Sequence, residues 1–217
     1  MAIQFPSLAP PTFVFPPRRV NTVGNGDVLE RFCIRWRFVP HVSSLKTMLI
    51  YTRGYCTGRC KYTSHSGWAF VFNDSSTGTV SGPVKNEGPD GQVRKQRLGQ
   101  AEIRAVIEAL KFRVWWAEGW TRVVIATPSD YVADGATKNI HSWHCQGWCF
   151  PSGDPRPDRD LWQALSDVLG LYSESGCEVS IWLSARRFNW RGYTTAKNAA
   201  IAGNNPKKYF DLQVRQV

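Results

Sequence analysis

A chain of 217 residues, 42% hydrophobic and with ten tryptophans, is long enough for one domain with a real core plus extensions. Its 27 Lys and Arg against 17 Asp and Glu give a net charge of +10, which excludes an acid-rich surface and favours an anionic partner, nucleic acid first. The absence of an 18-residue apolar run excludes a membrane span, and the start Met-Ala-Ile-Gln-Phe-Pro has no basic segment followed by an apolar one.

Residues 1–25 hold Pro6, Pro10, Pro11, Pro16 and Pro17 and read as an extended arm, because proline neither donates to a ladder nor sits inside a helix. Residues 28–40 alternate partly and read as a strand or an ordered lead-in. Strands are predicted over 47–53, over the aromatic run 67–73 and over 78–84, after a Ser-Ser-Thr-Gly turn. A charged loop fills 85–97. Ile103, Val106, Ile107, Leu110 and Val114 mark one stripe of a helix over 100–117. A buried strand follows at 122–127. Pro128-Ser129-Asp130 then opens a short helix, with Ser129 or Asp130 able to cap it. Residues 158–173 form an amphipathic helix with an acidic first turn, 178–184 a last strand and 194–202 a last helix. The order βββ-α-β-α-β-α predicts an α/β fold. The first three strands are antiparallel, and the later ones, reached through helices, are parallel to the first. The expected division is a Pro-rich extension over 1–46, a domain over 47–202 and a polar tail over 203–217.

The six cysteines read as reduced thiols of an intracellular protein, in cytoplasm or nucleus. Cys56/Cys60 and Cys145/Cys149, the latter near His141 and His144, have zinc-ligand residue types, but the Cys-x3-Cys spacing is loose and thiols are the default.

In order, YTRGYC, SGWAFVF, AEIRAVIEALKF, VVIATPSDYVADGAT, WHCQGW, DRDLW and AKNAA resemble the ribonuclease H family, its fungal branch above all, over residues 47–202. The resemblance implies a mixed five-stranded sheet flanked by helices. It also implies cleavage of the RNA strand of an RNA–DNA hybrid by two Mg²⁺ ions, which need several carboxylate oxygens to hold them. Carried over by position, those carboxylates fall on Arg53, Glu102, Pro128 and Lys197, so Glu102 alone is kept. A guanidinium stays protonated and cannot ligate a cation. The expectation is a protein without hydrolase activity and without bound Mg²⁺, in which Arg53, Lys197 or both pair with Glu102 where the metals would sit. Ordinary polar substitution at exposed strand ends is the competing reading. Asp130 and Asp134, the acids nearest Pro128, are expected to cap the helix or face solvent.

The family grips its hybrid near the first strand's loop, the start of the first helix and the Trp-rich segment. Arg59, Lys61, Arg94, Lys95 and Arg97 lie at the first two of these places, and Arg186, Arg187 and Arg191 interleave with Phe188 and Trp190. Phosphate contacts need charge rather than sequence reading, so these are the predicted nucleic-acid-binding residues, for an RNA–DNA hybrid or another duplex. The alternative is a protein-interaction scaffold, anchored by the arm 1–20 and by Trp115, Trp116 and Trp120 if these form one exposed patch. No Ser/His/Asp set supports unrelated chemistry.

Overall fold

The computed structural model describes residues 39–40, 46–57, 65–73 and 75–202. The Pro-rich arm, the loop carrying Arg59 and Lys61, Cys60 and the tail from 203 lie outside the described residues.

The strands are β1 (Val39–Pro40), β2 (Lys46–Cys56), β3 (Ser66–Val71), β4 (Thr79–Pro83), β5 (Arg122–Thr127) and β6 (Glu178–Leu183). The helices are α1 (Leu98–Lys111), α2 (Asp130–Asp134), α3 (Ile140–Cys145), α4 (Arg159–Glu174) and α5 (Trp190–Ala202), with a π-helical turn over Gly135–Asn139 between α2 and α3. The sheet runs β4-β3-β2-β5-β6, with the two-residue β1 added against β2 at Val39↔Thr47. Pairs β2/β3 and β3/β4 are antiparallel, and β2/β5 and β5/β6 are parallel. This is the mixed five-stranded sheet expected, in the expected directions.

Strand alternation sorts the side chains onto two faces. Met48, Ile50, Phe70, Val123, Ile125, Val179 and Ile181 belong to the larger core, which also holds the apolar residues of α1 and α4. Tyr51, Val124, Ala126 and Trp182 form a smaller cluster on the opposite face, with Phe188 packed against it. β2 thereby sends Gly54 to the α1 face, and Arg53 and Tyr55 to the face of Tyr51.

Two helix boundaries differ from expectation, each for a visible reason. α1 stops at Lys111 rather than continuing to 117, because the Trp115 indole N–H donates to the Ala109 carbonyl (3.0 Å) and takes the acceptor that a continued helix would use. Trp115 thereby enters the aromatic cluster of Phe72 and Phe112. Trp115 and Trp120 are buried, and the partly buried Trp116 packs edge-on against Tyr172. The three tryptophans are therefore core, not the exposed patch that a protein partner would need. α5 starts at Trp190 rather than at 194. Buried Asn189 organises this start: its Oδ1 accepts from the Gly192 N–H (2.9 Å) and its Nδ2 donates to the Thr52 carbonyl (3.2 Å), which ties the helix to β2. Among the described residues no helix is long and apolar enough to cross a membrane.

Candidate nucleic-acid interface

β2 ends against α1 at a glycine. A Cβ on Gly54 would lie 2.6 Å from the Glu102 backbone nitrogen, so only glycine lets the strand and helix approach this closely. Glu102 is thereby buried beside the strand end, where its carboxylate accepts the backbone N–H of Gly54. Its Oε2 has no hydrogen-bond partner among the described residues. Burial pushes the Glu102 carboxyl up to about 7, against the Gly54 hydrogen bond and the positive charges of Arg53 and Arg186, which pull it down. Near neutral pH this acid exchanges its proton.

Arg53 is also buried, and its Nε finds no acceptor. Its guanidinium lies over the Tyr193 ring, 5.4 Å from the centroid. Tyr193 meets Tyr55 edge-on at 5.5 Å and stacks on Trp190 at 5.5 Å and 28°. Trp190 is 68% exposed.

This arrangement corrects the expected pairing. Arg53 does not hydrogen-bond Glu102, because strand alternation puts its side chain on the opposite face of β2 from Gly54, and it acts on Glu102 through charge. Lys197 forms no ion pair with Glu102 either; it is exposed. On α5, Ala196 and Ala200 are the buried residues against β3, where a Cβ on Gly67 would lie 2.3 Å from the Ala196 carbonyl oxygen. With Gly192 they make the buried stripe of the helix; Tyr193 sits partly buried at its edge, whereas Lys197 is exposed. The second cation acting on Glu102 is Arg186. Tyr193 was missed by placing the helix start at 194. The signal available was Asn189 three residues before Gly192, a side-chain cap with a small residue where the chain must pass close.

Pro128 is half-buried at the end of β5. Ser129 caps α2 by accepting from the Val132 N–H (3.4 Å). Asp130 is exposed, and Asp134 pairs with Lys138 at 2.6 Å on the surface. Both acids are turned to solvent, as expected.

Two of the basic residues before α1 are ion-paired within the protein. Arg94 bridges Asp90 and Asp160, the latter at 3.0 Å. Arg97 reaches Asp158 at 2.5 Å; that buried carboxylate also accepts from the Tyr131 hydroxyl (3.1 Å), which in turn accepts from the Trp162 indole N–H (3.0 Å). Burial pushes the Tyr131 hydroxyl up to about 12. Arg94 and Arg97 thus tie the entry of α1 to the start of α4, because a buried carboxylate without its partner is costly. Lys95 is exposed. Replacing Arg94 by Met is expected to lower stability by about 2 kcal/mol in urea denaturation while leaving duplex affinity within about twofold. A large loss of affinity with unchanged stability would restore Arg94 to the interface. Arg186 and Arg187 are exposed, Arg187 lying over Phe188 at 5.0 Å, and Arg191 donates to the Ser75 carbonyl (2.6 Å).

Cys145 Sγ lies 3.8 Å from His141 Nε2, and Cys56, Cys145, Cys149 and Cys177 carry free thiols. Among the described residues no three His, Cys, Asp or Glu side chains converge as a metal site. A cavity of about 390 Å³ lies between β4, the loop over 84–94 and α1; none of Arg53, Glu102 or Tyr193 lines it.

A mixed sheet in this strand order, with a helical glutamate against a glycine at the end of its central strand, defines a ribonuclease H-like domain. The profile described as RNase H matches residues 45–174, and the chain belongs to the ribonuclease H family. Among curated proteins it is 32% identical to the ribonuclease H of Treponema pallidum over 131 residues, which covers 58% of this chain and 75% of that protein. It is 30% identical to the ribonuclease H of Rickettsia akari over 159 residues, covering 72% and 90%. Among solved structures, a chain of the foamy viral protease-reverse transcriptase in complex with dsDNA shares the fold with a TM-score of 0.54 at 22% identity, over 72% of this chain and 95% of that one. LC9-RNase H1, a type 1 RNase H with the type 2 active-site motif, does so with a TM-score of 0.52 at 20% identity, over 77% and 78%.

Proposed function

We propose that this chain is a ribonuclease H-like protein without hydrolase activity that binds an RNA–DNA hybrid or another nucleic-acid duplex. The observation that carries the reading is Arg53. A permanent cation stands at the strand end beside Glu102, where the family resemblance calls for a metal-binding carboxylate. A pair of Mg²⁺ ions needs several ionised carboxylates. The strand-end cluster supplies Glu102, which burial drives toward its neutral form and which feels the charges of Arg53 and Arg186. Pro128 and Lys197, at the other two positions the resemblance assigns to metal ligands, offer no carboxylate. This donor set does not fit two divalent ions. Binding is supported by the net charge of +10 and by Arg186 and Arg187 exposed beside the cluster. The foamy viral enzyme that shares the fold was solved in complex with dsDNA and with RNA/DNA hybrid, which makes those duplexes the ligands to test.

The name ribonuclease H on the relatives favours a second reading, an active metal-dependent nuclease with a rearranged site. One experiment separates the two. The full chain is titrated onto labelled RNA–DNA hybrid, double-stranded RNA and double-stranded DNA across a salt series with Mg²⁺ or Mn²⁺, by fluorescence anisotropy, and the RNA strand is then run on a denaturing gel. The expected result is binding with a steep salt slope and an intact strand. Metal-dependent cleavage that Glu102→Gln abolishes would overturn the reading. Absence of binding even at low salt would make the basic charge a solvated surface.

A further inference from the structure

We infer that Trp190 is a stacking platform for an unpaired base, so that the cleft prefers a duplex carrying a single-stranded overhang to a blunt one. The inference rests on the nucleic-acid reading above and names the ligand of the same site. Trp190 is 68% exposed, although a tryptophan is ordinarily well covered. One face of its indole stacks on Tyr193, and its exposure leaves the outer face to solvent.

The platform is held in place from several sides. Tyr193 carries the Arg53 guanidinium over its ring and Tyr55 at its edge. Asn189, next to Trp190 in the chain, is bonded to the β2 backbone at Thr52, and Arg191 is bonded to the Ser75 carbonyl. A ring fixed in this way gives up little freedom when a second ring stacks on it.

Charge complementarity identifies the occupant. Arg186 and Arg187 stand exposed on the turn leading to the platform, and the buried Arg53 guanidinium lies over the ring of Tyr193, on which Trp190 stacks. Cations around an exposed aromatic face suit a base with its flanking phosphates. A base inside a duplex has both faces covered by its neighbours, so an unpaired base is the one free to lie on Trp190.

The test compares a blunt RNA–DNA hybrid with the same hybrid extended by a short single-stranded overhang. Both are measured by anisotropy against the full chain and its Trp190→Ala and Trp190→Phe variants. The overhang is expected to bind about tenfold tighter than the blunt duplex, the scale of one base–aromatic stack. Trp190→Ala removes that preference and leaves blunt-duplex affinity and melting temperature unchanged; Trp190→Phe keeps most of it. If wild type binds both ligands equally, or if Trp190→Ala weakens both equally, the stacking inference fails while duplex binding stands. If neither ligand binds at low salt, the nucleic-acid reading fails, and the inference with it.

Discussion

Replacing Glu102 by glutamine is expected to raise the unfolding free energy by about 3 kcal/mol near pH 8 and to leave it unchanged near pH 4. The folded-state pKa, about 7, lies above the ordinary 4.5 of a glutamic acid. Between those values the folded chain holds a proton that the unfolded chain releases. The stabilising contribution of the protonated acid is therefore full below about 4.5, declines as pH rises toward 7, and is gone above it. Glutamine carries no proton to lose and can still accept the Gly54 N–H, so the variant follows the protonated form at every pH. Because Arg53 pulls the Glu102 pKa down, Arg53→Met moves it further up and widens the window. Urea denaturation of wild type and Glu102→Gln at a low, a middle and a high pH reads the effect. A difference that does not vary with pH would mean that the folded-state pKa is the ordinary one, with Glu102 ionised near neutrality as a metal ligand must be. The same measurement thus bears on the proposed lack of hydrolysis: an acid still partly protonated near neutrality must give up that proton before it can hold a divalent ion.

What the sequence made legible was whatever depends on local period and short turns. The short apolar runs at 47–53, 67–73 and 122–127 put the strands in place, and the stripe from Ile103 to Leu110 put α1 beside them. The motifs carried Arg53 and Glu102 to neighbouring elements, and the charge of one acts on the other. Long-range partnership was not legible. Nothing in the run Arg94–Arg97 announces that Asp158 and Asp160, more than 60 residues later, take up its cations. Trp115 ends α1 through an indole N–H that no helical pattern records. The last helix shows the same limit at the site itself. From the sequence the helix starts at 194, and the motif places Lys197 at the site. With Asn189 capping it, the helix takes in Gly192, and the residue beside Arg53 becomes Tyr193.

Gly67→Ala tests the contact that positions this helix. A single methyl there is expected to lower stability by about 3 kcal/mol, at the upper end of what overpacking does. The added Cβ would stand 2.3 Å from the Ala196 carbonyl oxygen and 2.6 Å from the Ala200 nitrogen. Both are backbone atoms inside a helix, with no side chain to swing aside. β3 cannot retreat, because it is paired with β2 on one edge and β4 on the other. The strain must therefore move α5, and α5 carries Trp190 and Tyr193. Weaker overhang binding should accompany the loss of stability, with blunt-duplex binding less affected. Gly170→Ala is the matched control: it lies within α4 and nothing stands within 4 Å of its added Cβ. Helix propensity alone then predicts a gain of about 0.5–1 kcal/mol. Thermal melts of the two variants beside wild type should move in opposite directions. If both rise, α5 is not seated on β3 at Gly67, and the position of Tyr193 against Arg53 loses its support.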